Sequence, residues 1–229
     1  MEEYINKTKL DKYITKEDIQ QHDQSRINKW YNEIIDHKTD VIDNQDSLYN
    51  ITVPKLGDGG TCSLKHEQET FNLETVIGKR SDQLSIIISK LYKIVQQISN
   101  DTGSDWFGIY KTYSVDNDKA LIKLAYQGEI SRPIFPLTDD FALISNNSTV
   151  GMTGTGRIIT SLQEYDGPYY NCSDKVKSEL CIPIFSATNA NQVIGIIDAE
   201  SWKDKHFTPT LILDIATVAL LLSNTLSSF

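Results

Sequence analysis

Two apolar runs of strand length, Leu180 to Phe185 and Val193 to Ile197, flank the short polar segment Thr188 to Asn191, and nothing else in the sequence constrains the fold as much. Run, polar break and run at this spacing predict an antiparallel hairpin. Side chains alternate between the faces of a strand, so Glu179 and Cys181 share a face of the first strand, and Asp198 and Glu200 share a face of the second. A turn at Asn189 and Ala190 sets Glu179 opposite Glu200 and Cys181 opposite Asp198, which brings three carboxylates onto one face. Like charges opposed across strands repel, and desolvation beside other carboxylates raises acid pKa values. Such a cluster suits two tasks: holding an ammonium group, and keeping one acid protonated near neutral pH so that it can donate. The alternative is that one or more of the acids ends a strand in water; the largely apolar character of both strands favours the pocket.

Around this hairpin the pattern is that of an α+β domain. Ser81 caps a helix whose stripe Leu84, Ile87, Ile88, Leu91, Ile94, Val95 and Ile98 stops near Gly103. Strand signals follow at Trp106 to Tyr113 and Ala120 to Tyr126, with a turn at Asp116 to Asp118, and Trp106, Gly108 and Tyr110 share one face. Arg157 to Leu162 is another strand candidate, and Thr208 with Pro209 opens a final helix through Leu226. The run Thr149 to Gly156 could bring backbone amides to an anion, although it lacks the lysine of a P-loop.

Residues 1–79 are polar and form an extension to a domain spanning 80–229. One helix is expected there, capped by Thr15 with Asp18 and carrying Ile19, Ile27, Trp30, Tyr31, Ile34 and Ile35 as far as His37. It docks on the main domain or on a second subunit, so a homodimer is among the expectations. Residues 38–78, with Pro54, Gly57, Gly59 and Gly60, read as irregular connection.

Acidic residues outnumber basic ones 31 to 22, giving a net charge of -9 with no compensating basic block, which argues against nucleic acid and anionic membranes as partners. The N-terminus has no signal-like design and no uninterrupted apolar run approaches a membrane span, so a cytoplasmic protein is expected. Cys62, Cys172 and Cys181 are too few for a secreted disulfide scaffold and lack zinc spacing, and the four histidines show no metal or triad pattern. No metal and no bound cofactor are expected. Cys181 sits inside an apolar strand and reads as a small buried residue. Cys172 lies among Asn171, Ser173 and Asp174, a polar context that looks like a helix start, where backbone amides could stabilise a thiolate.

Asp105-Trp-Phe-Gly-Ile-Tyr110, Tyr126-Gln-Gly128, Tyr165-Asp-Gly167, Ser178-Glu-Leu180 with Pro183, Cys172 six residues before Ser178, and Asn191 through Ser201 stand out together. In combination they resemble a GAF domain, and more narrowly the free methionine-(R)-sulfoxide reductases. The likeness covers residues 80–225 and implies a GAF-type antiparallel sheet flanked by helices. It also implies that Cys172 attacks the sulfoxide sulfur and becomes a sulfenic acid. Glu179, Asp198 and Glu200 would hold the substrate ammonium and assist protonation of the sulfoxide oxygen, with Trp106 and Tyr110 walling the methyl-thio end. Thioredoxin or a small dithiol would be the external reductant.

The chain departs from that pattern twice. No cysteine lies between Cys62 and Cys172, and where relatives carry Gly-Val-Cys-Gly this sequence reads Gly151-Met-Thr-Gly154, leaving Cys62 and Cys181 as the internal resolving candidates. Glu200 also stands where Asp is usual. The competing expectation is a non-catalytic GAF sensor that keeps the pocket for a small amine-bearing ligand.

Overall fold

The computed structural model describes residues 1–36, 45–57, 64–115, 118–170 and 172–229. Its centre is a six-stranded antiparallel sheet of β3 (Trp106–Val115), β4 (Asp118–Gln127), β5 (Ile134–Pro136), β6 (Arg157–Ile159), β7 (Ser178–Phe185) and β8 (Val193–Ser201), ordered β5-β4-β3-β8-β7-β6. The β7–β8 pair has the expected register, Glu179 opposite Glu200 and Cys181 opposite Asp198. The connection is longer than a two-residue turn. A register shift after Ile184 absorbs the difference, and the Ser186 hydroxyl accepts from the amides of Thr188 and Asn189 at 3.2 and 3.3 Å.

Alternation gives the sheet two unlike faces. Phe107, Ile109, Leu180, Ile182, Ile197 and Ala199 point to one side, where α6 (Asp82–Thr102) and α9 (Pro209–Ser227) cover them. The Ser81 hydroxyl caps α6 at the Leu84 amide, and Gly103 ends it with a φ of 65° that a side chain would strain. By length and hydropathy alone α9, 19 residues at mean hydropathy 1.6, could cross a bilayer. Here Asp214 interrupts it, and Ile212, Leu213, Ile215, Val218 and Leu222 are buried in the core. The other face of the sheet carries Trp106, Tyr110, Cys181 and Ile196 and is covered by α7 (Asp139–Ala142) and α8 (Asn146–Thr153).

The N-terminal third is more ordered than its composition suggests. α1 (Glu2–Lys7) and a short 3-10 turn at Leu10–Lys12 bury Tyr4, Ile5 and Leu10, and the Tyr4 hydroxyl donates to the Pro183 carbonyl at 2.7 Å. The single helix expected from Thr15 to His37 is two: α2 (Lys16–Gln21), with the expected Thr15–Asp18 capping box, and α3 (Ser25–Asp36). The break falls at His22, whose ring leaves the helical path to pair with the buried Asp214 of α9 at 2.8 Å. α3 seats against α6 and α9 of the same chain.

The expected irregular connection also needs correction. It contains α4 (Gln45–Tyr49), the hairpin β1 (Asn50–Lys55) with β2 (Leu64–Asn72), and α5 (Glu74–Ile77). Leu48, Tyr49, Ile51 and Val53 form with Leu84, Ile88 and Ile122 a second core that binds this hairpin to the domain. Its apolar residues were too short a run to register among the polar ones. Cys62, and Asp116 of the β3–β4 turn, lie outside the described residues.

Candidate functional site

The α8 side of the sheet encloses a narrow cavity lined by Trp106, Tyr110, Cys172, Glu179, Asp198 and Glu200, together with Ser131 and Asn147. Three strands supply its carboxylates and aromatic wall, and α8 and the loops supply the rest. The register Trp106 to Glu200 and Gly108 to Asp198 places the aromatic residues of β3 beside the carboxylates of β8, which in turn face those of β7. Trp106 stacks on Tyr110 with ring centroids 6.3 Å apart, and its indole nitrogen donates to the Glu129 carbonyl at 3.0 Å. Two glycines make room for the indole: a Cβ at Gly108 would come within 2.3 Å of the ring, and one at Gly128, already at φ 123°, within 2.6 Å. Asp105 fastens the end of β8 by accepting from the Ser201 hydroxyl at 3.0 Å and the Trp202 amide at 2.8 Å.

The carboxylates stand in a medium that opposes their charge. Glu179 and Asp198 are each 3% exposed, and burial raises both carboxyl pKa values; for Asp198 the neighbouring Glu179 and Glu200 raise it further. Opposing this, Arg157 draws Glu179 down, and Asn147, whose side-chain nitrogen donates to Asp198 at 2.9 Å, draws Asp198 down together with Lys123. The compensation is incomplete at the level of atoms. Asp198 Oδ1, Asn147 Oδ1, Asn146 Nδ2 and the Tyr169 hydroxyl are buried without a hydrogen bond; Tyr169 and Asn146 bias the Glu179 proton but complete no bond with it. Buried polar atoms left unpaired cost about 1 to 3 kcal/mol each, and the three that line the cavity, on Asp198, Asn147 and Asn146, mark a place where a polar ligand restores them. Among the described residues no three His, Cys, Asp or Glu side chains converge as metal ligands would.

Cys172 lies at the mouth, engaged in a disulfide, with its sulfur 4.0 Å from the Tyr170 hydroxyl. The segment after it forms a turn from Ser173 to Val176, with the Val176 amide donating to Ser173 O at 3.4 Å, and not the expected helix start. No helix N-terminus therefore supports the thiolate. Tyr170 is clamped in turn by Arg132, whose guanidinium lies over the rings of Phe135, Phe141 and Tyr170 at 5.2, 4.7 and 5.3 Å. Cys181 is a free thiol, fully buried, with its pKa pushed well up by burial and by Asp198 and Glu179. The cavity itself is about 20 Å³, room for about one water, so a larger ligand enters only if the lining moves.

No family model matches the sequence, and no curated protein matches it. Solved structures do. The type II free methionine-R-sulfoxide reductase of Thermoplasma acidophilum superposes with a TM-score of 0.55 at 18% identity, covering 65% of this chain and 97% of that one. The free methionine-R-sulfoxide reductase of Neisseria meningitidis, solved in complex with its substrate, gives 0.51 at 19% identity over 65% of this chain and 94% of that one. The GAF domain region of a protein from Geobacter sulfurreducens PCA gives 0.52 at 11% identity over 63% and 95%.

The fold is that of a GAF domain. What the sequence reading missed in the GAF pocket is its cations and amides. Lys123 is fully buried on β4, with its ammonium donating to the carbonyl and the hydroxyl of Ser131, both at 2.8 Å, and lying 4.0 Å from the Tyr126 ring centroid. Burial pushes its pKa down to about 7, with Glu200 and Asp198 pulling the other way. A lysine flanked by Ile122 and Leu124 in an apolar strand was the available signal. Asn146 and Asn147 precede the run Thr149 to Gly156, whose residues through Gly154 are the C-terminal part of α8 and its cap; the Thr155 amide donates to the Thr153 hydroxyl and the Gly156 amide to Thr8 O, so the run has no amides to offer an anion.

Proposed function

We propose that this GAF domain reduces free L-methionine (R)-sulfoxide to methionine. The observation that carries the reading is the convergence on one cavity of Glu179, Asp198 and Glu200, the Trp106–Tyr110 wall and Cys172. The unpaired atoms there support a zwitterion: Asp198 Oδ1 and Asn147 Oδ1 are acceptors for an ammonium, and Asn146 Nδ2 is a donor for an oxygen anion. A peptide-bound methionine has no α-ammonium to offer, which restricts the substrate to the free amino acid.

In this reading the Cys172 thiolate attacks the sulfoxide sulfur, the oxygen passes to Cys172 as sulfenic acid, and methionine leaves. A second thiol then attacks the sulfenic acid, forming a disulfide and releasing water, and thioredoxin or a small dithiol reduces that disulfide. Glu179 or Asp198, whose carboxyl pKa values burial raises, supplies the proton to the departing oxygen. Cys172 is disulfide-bonded and Cys181 is free, which supports Cys62 as the resolving thiol. An NADPH-coupled thioredoxin assay on the two sulfoxide epimers tests the reaction: oxidation of NADPH with the R form and not the S form is expected. Mass spectrometry of protein first reduced and freed of reductant, then given one equivalent of substrate, should show a 62–172 linked peptide that is absent before substrate is added.

A second reading is a non-catalytic sensor for a small amine-bearing ligand. The lack of any cysteine between Cys62 and Cys172, where the resembling reductases carry one, favours it. After reduction of the protein, a Cys172 thiol left untouched by prolonged exposure to the R form, with ligand still bound, would establish this reading in place of the first.

A further inference from the structure

We propose a second ligand site at the far end of β3, a cleft where β3 and β8 separate, which holds a small carboxylate with an apolar body against Lys111. The cleft shares no lining residue with the carboxylate cavity, so it does not depend on the reduction proposed above. β3 pairs with β8 from Trp106–Glu200 only as far as Lys111–Gly195. Yet β3 runs on along β4 to Val115, and β8 begins along β7 at Val193, with a register shift at that point. The two strands therefore diverge, and Thr112 to Ser114 have no ladder partner on the β8 side. The gap opens as two adjoining cavities of about 380 and 470 Å³, one reaching Leu226 of α9 and the other Gly151 of α8, which share Thr112, Lys119, Gln192 and Val193.

The lining has the opposite charge to the chain. In a protein of net charge -9, the residues around these two cavities include Lys7, Lys111 and Lys119 and no carboxylate. Lys111 is the anchor. It is 7% exposed; its ammonium donates to the Leu226 carbonyl at 2.8 Å and faces the Phe229 ring at 3.8 Å and the Tyr113 ring at 5.3 Å. Leu226, Phe229 and Tyr113 all line the 380 Å³ cavity, so the ammonium sits in its wall. A helix carbonyl and two ring faces supply partial negative charge but no anion, and a buried charge is costly until it is paired. Consistent with that, burial alone pushes the Lys111 pKa down to about 8. Beside it, Thr112 Oγ1 is buried without a hydrogen bond. The rest of the wall is apolar, with Val193, Ile194, Leu226 and Phe229. An inorganic anion would use the lysines alone; a carboxylate with an apolar body uses both halves of the lining.

The test is calorimetry on the full chain with phenylacetate and inorganic phosphate as probes. Phenylacetate should bind, and phosphate at least tenfold more weakly. Lys111→Met should weaken phenylacetate about tenfold or more, the size of one charge-assisted hydrogen bond, and Lys111→Arg, which keeps the cation, should retain most of the affinity. Lys119 is exposed at the rim, so Lys119→Met leaves the packing intact; it should weaken phenylacetate about threefold and serves if Lys111→Met does not fold. Failure of phenylacetate to bind, phosphate binding as tight as phenylacetate, or phenylacetate affinity unchanged in Lys111→Met or in Lys119→Met overturns the proposal.

Discussion

The two faces of the central sheet are built from alternate residues of the same strands, yet they obey opposite rules. On the face toward α6 and α9, Phe107, Ile109, Leu180, Ile182, Ile197 and Ala199 are fully buried, and every one of them is apolar. On the other face the neighbours of those residues are Trp106, Tyr110, Glu179, Cys181, Asp198 and Glu200, with Lys123 behind them and unpaired polar atoms around them. One face lowers the free energy of the fold. The other stores unfavourable burial that a ligand can relieve, which is the arrangement expected where a site is preorganised at the expense of stability.

The largest expected effect lies on the pocket side. Cys172→Ser should bring sulfoxide reduction to background, because an alcohol near neutral pH is too weak a nucleophile at sulfur. Cys181→Ala, one strand away, should leave most of the activity, since that thiol is buried and held protonated. Coupled turnover measured on both variants decides the assignment; wild-type rates in Cys172→Ser would remove it. On the opposite face Leu180→Ala should cost about 2 to 5 kcal/mol by chemical denaturation, the range for truncating a buried leucine. Its ligand affinity should change little. A loss of less than 1 kcal/mol at Leu180 would mean that the face is not the close-packed core described.

How much of this could be read beforehand follows from the same contrast. The register of β7 on β8 was legible because a period of two leaves one way to hide the apolar residues, and the carboxylates then had to meet. The α6 stripe and the Thr15 capping box were legible for the same kind of reason, a period or a cap with a fixed offset. Three things were not. His22 breaks the expected long helix because of a partner, Asp214, that lies 192 residues away in the sequence. The β1–β2 hairpin is held by Leu48, Tyr49, Ile51 and Val53, which pack on α6 across a contact no local pattern announces. Lys123 carries only the weak signal of its apolar neighbours Ile122 and Leu124, since a lysine in a strand is usually exposed. Only the tertiary position of Ser131 makes it a buried donor.

A smaller effect, opposite in sign to Leu180→Ala, is expected at Asp198. Its carboxyl pKa is raised in the folded state, so its contribution is fully present below the ordinary aspartate range and is lost as pH rises through the raised value. Asp198→Asn removes that loss and keeps an oxygen able to accept from Asn147. It should therefore raise stability at neutral pH by about 1 kcal/mol, flatten the fall in stability between pH 4 and 7, and weaken free methionine binding. Lys123 does not confuse the measurement, because its pKa is pushed down to about 7 and its linkage falls above that, where stability rises with pH. Thermal melts across pH 4 to 7 check the prediction; a variant less stable than wild type at pH 7 would show that Asp198 is better compensated than its unpaired Oδ1 implies.

The smallest effect tests whether the N-terminal extension belongs to the stabilising side of the comparison or to the functional one. Tyr31 of α3 is 7% exposed, and its hydroxyl donates to the Leu221 carbonyl at 2.6 Å and lies 3.1 Å from Thr225 Oγ1 on α9. Burial raises its pKa, so it remains a neutral donor throughout the physiological range. Tyr31→Phe keeps the ring and removes only the hydroxyl. The Leu221 carbonyl sits in the middle of α9 and retains its place in the helical ladder, so the loss is that of a hydrogen bond and not of an orphaned buried acceptor. About 1 kcal/mol is expected by chemical denaturation. Because α3 seats on the face of the sheet remote from the cavity, binding of free methionine should be unchanged. Weakened binding in Tyr31→Phe would mean that the extension reports on the pocket, and the separation of the two faces would fail at that point.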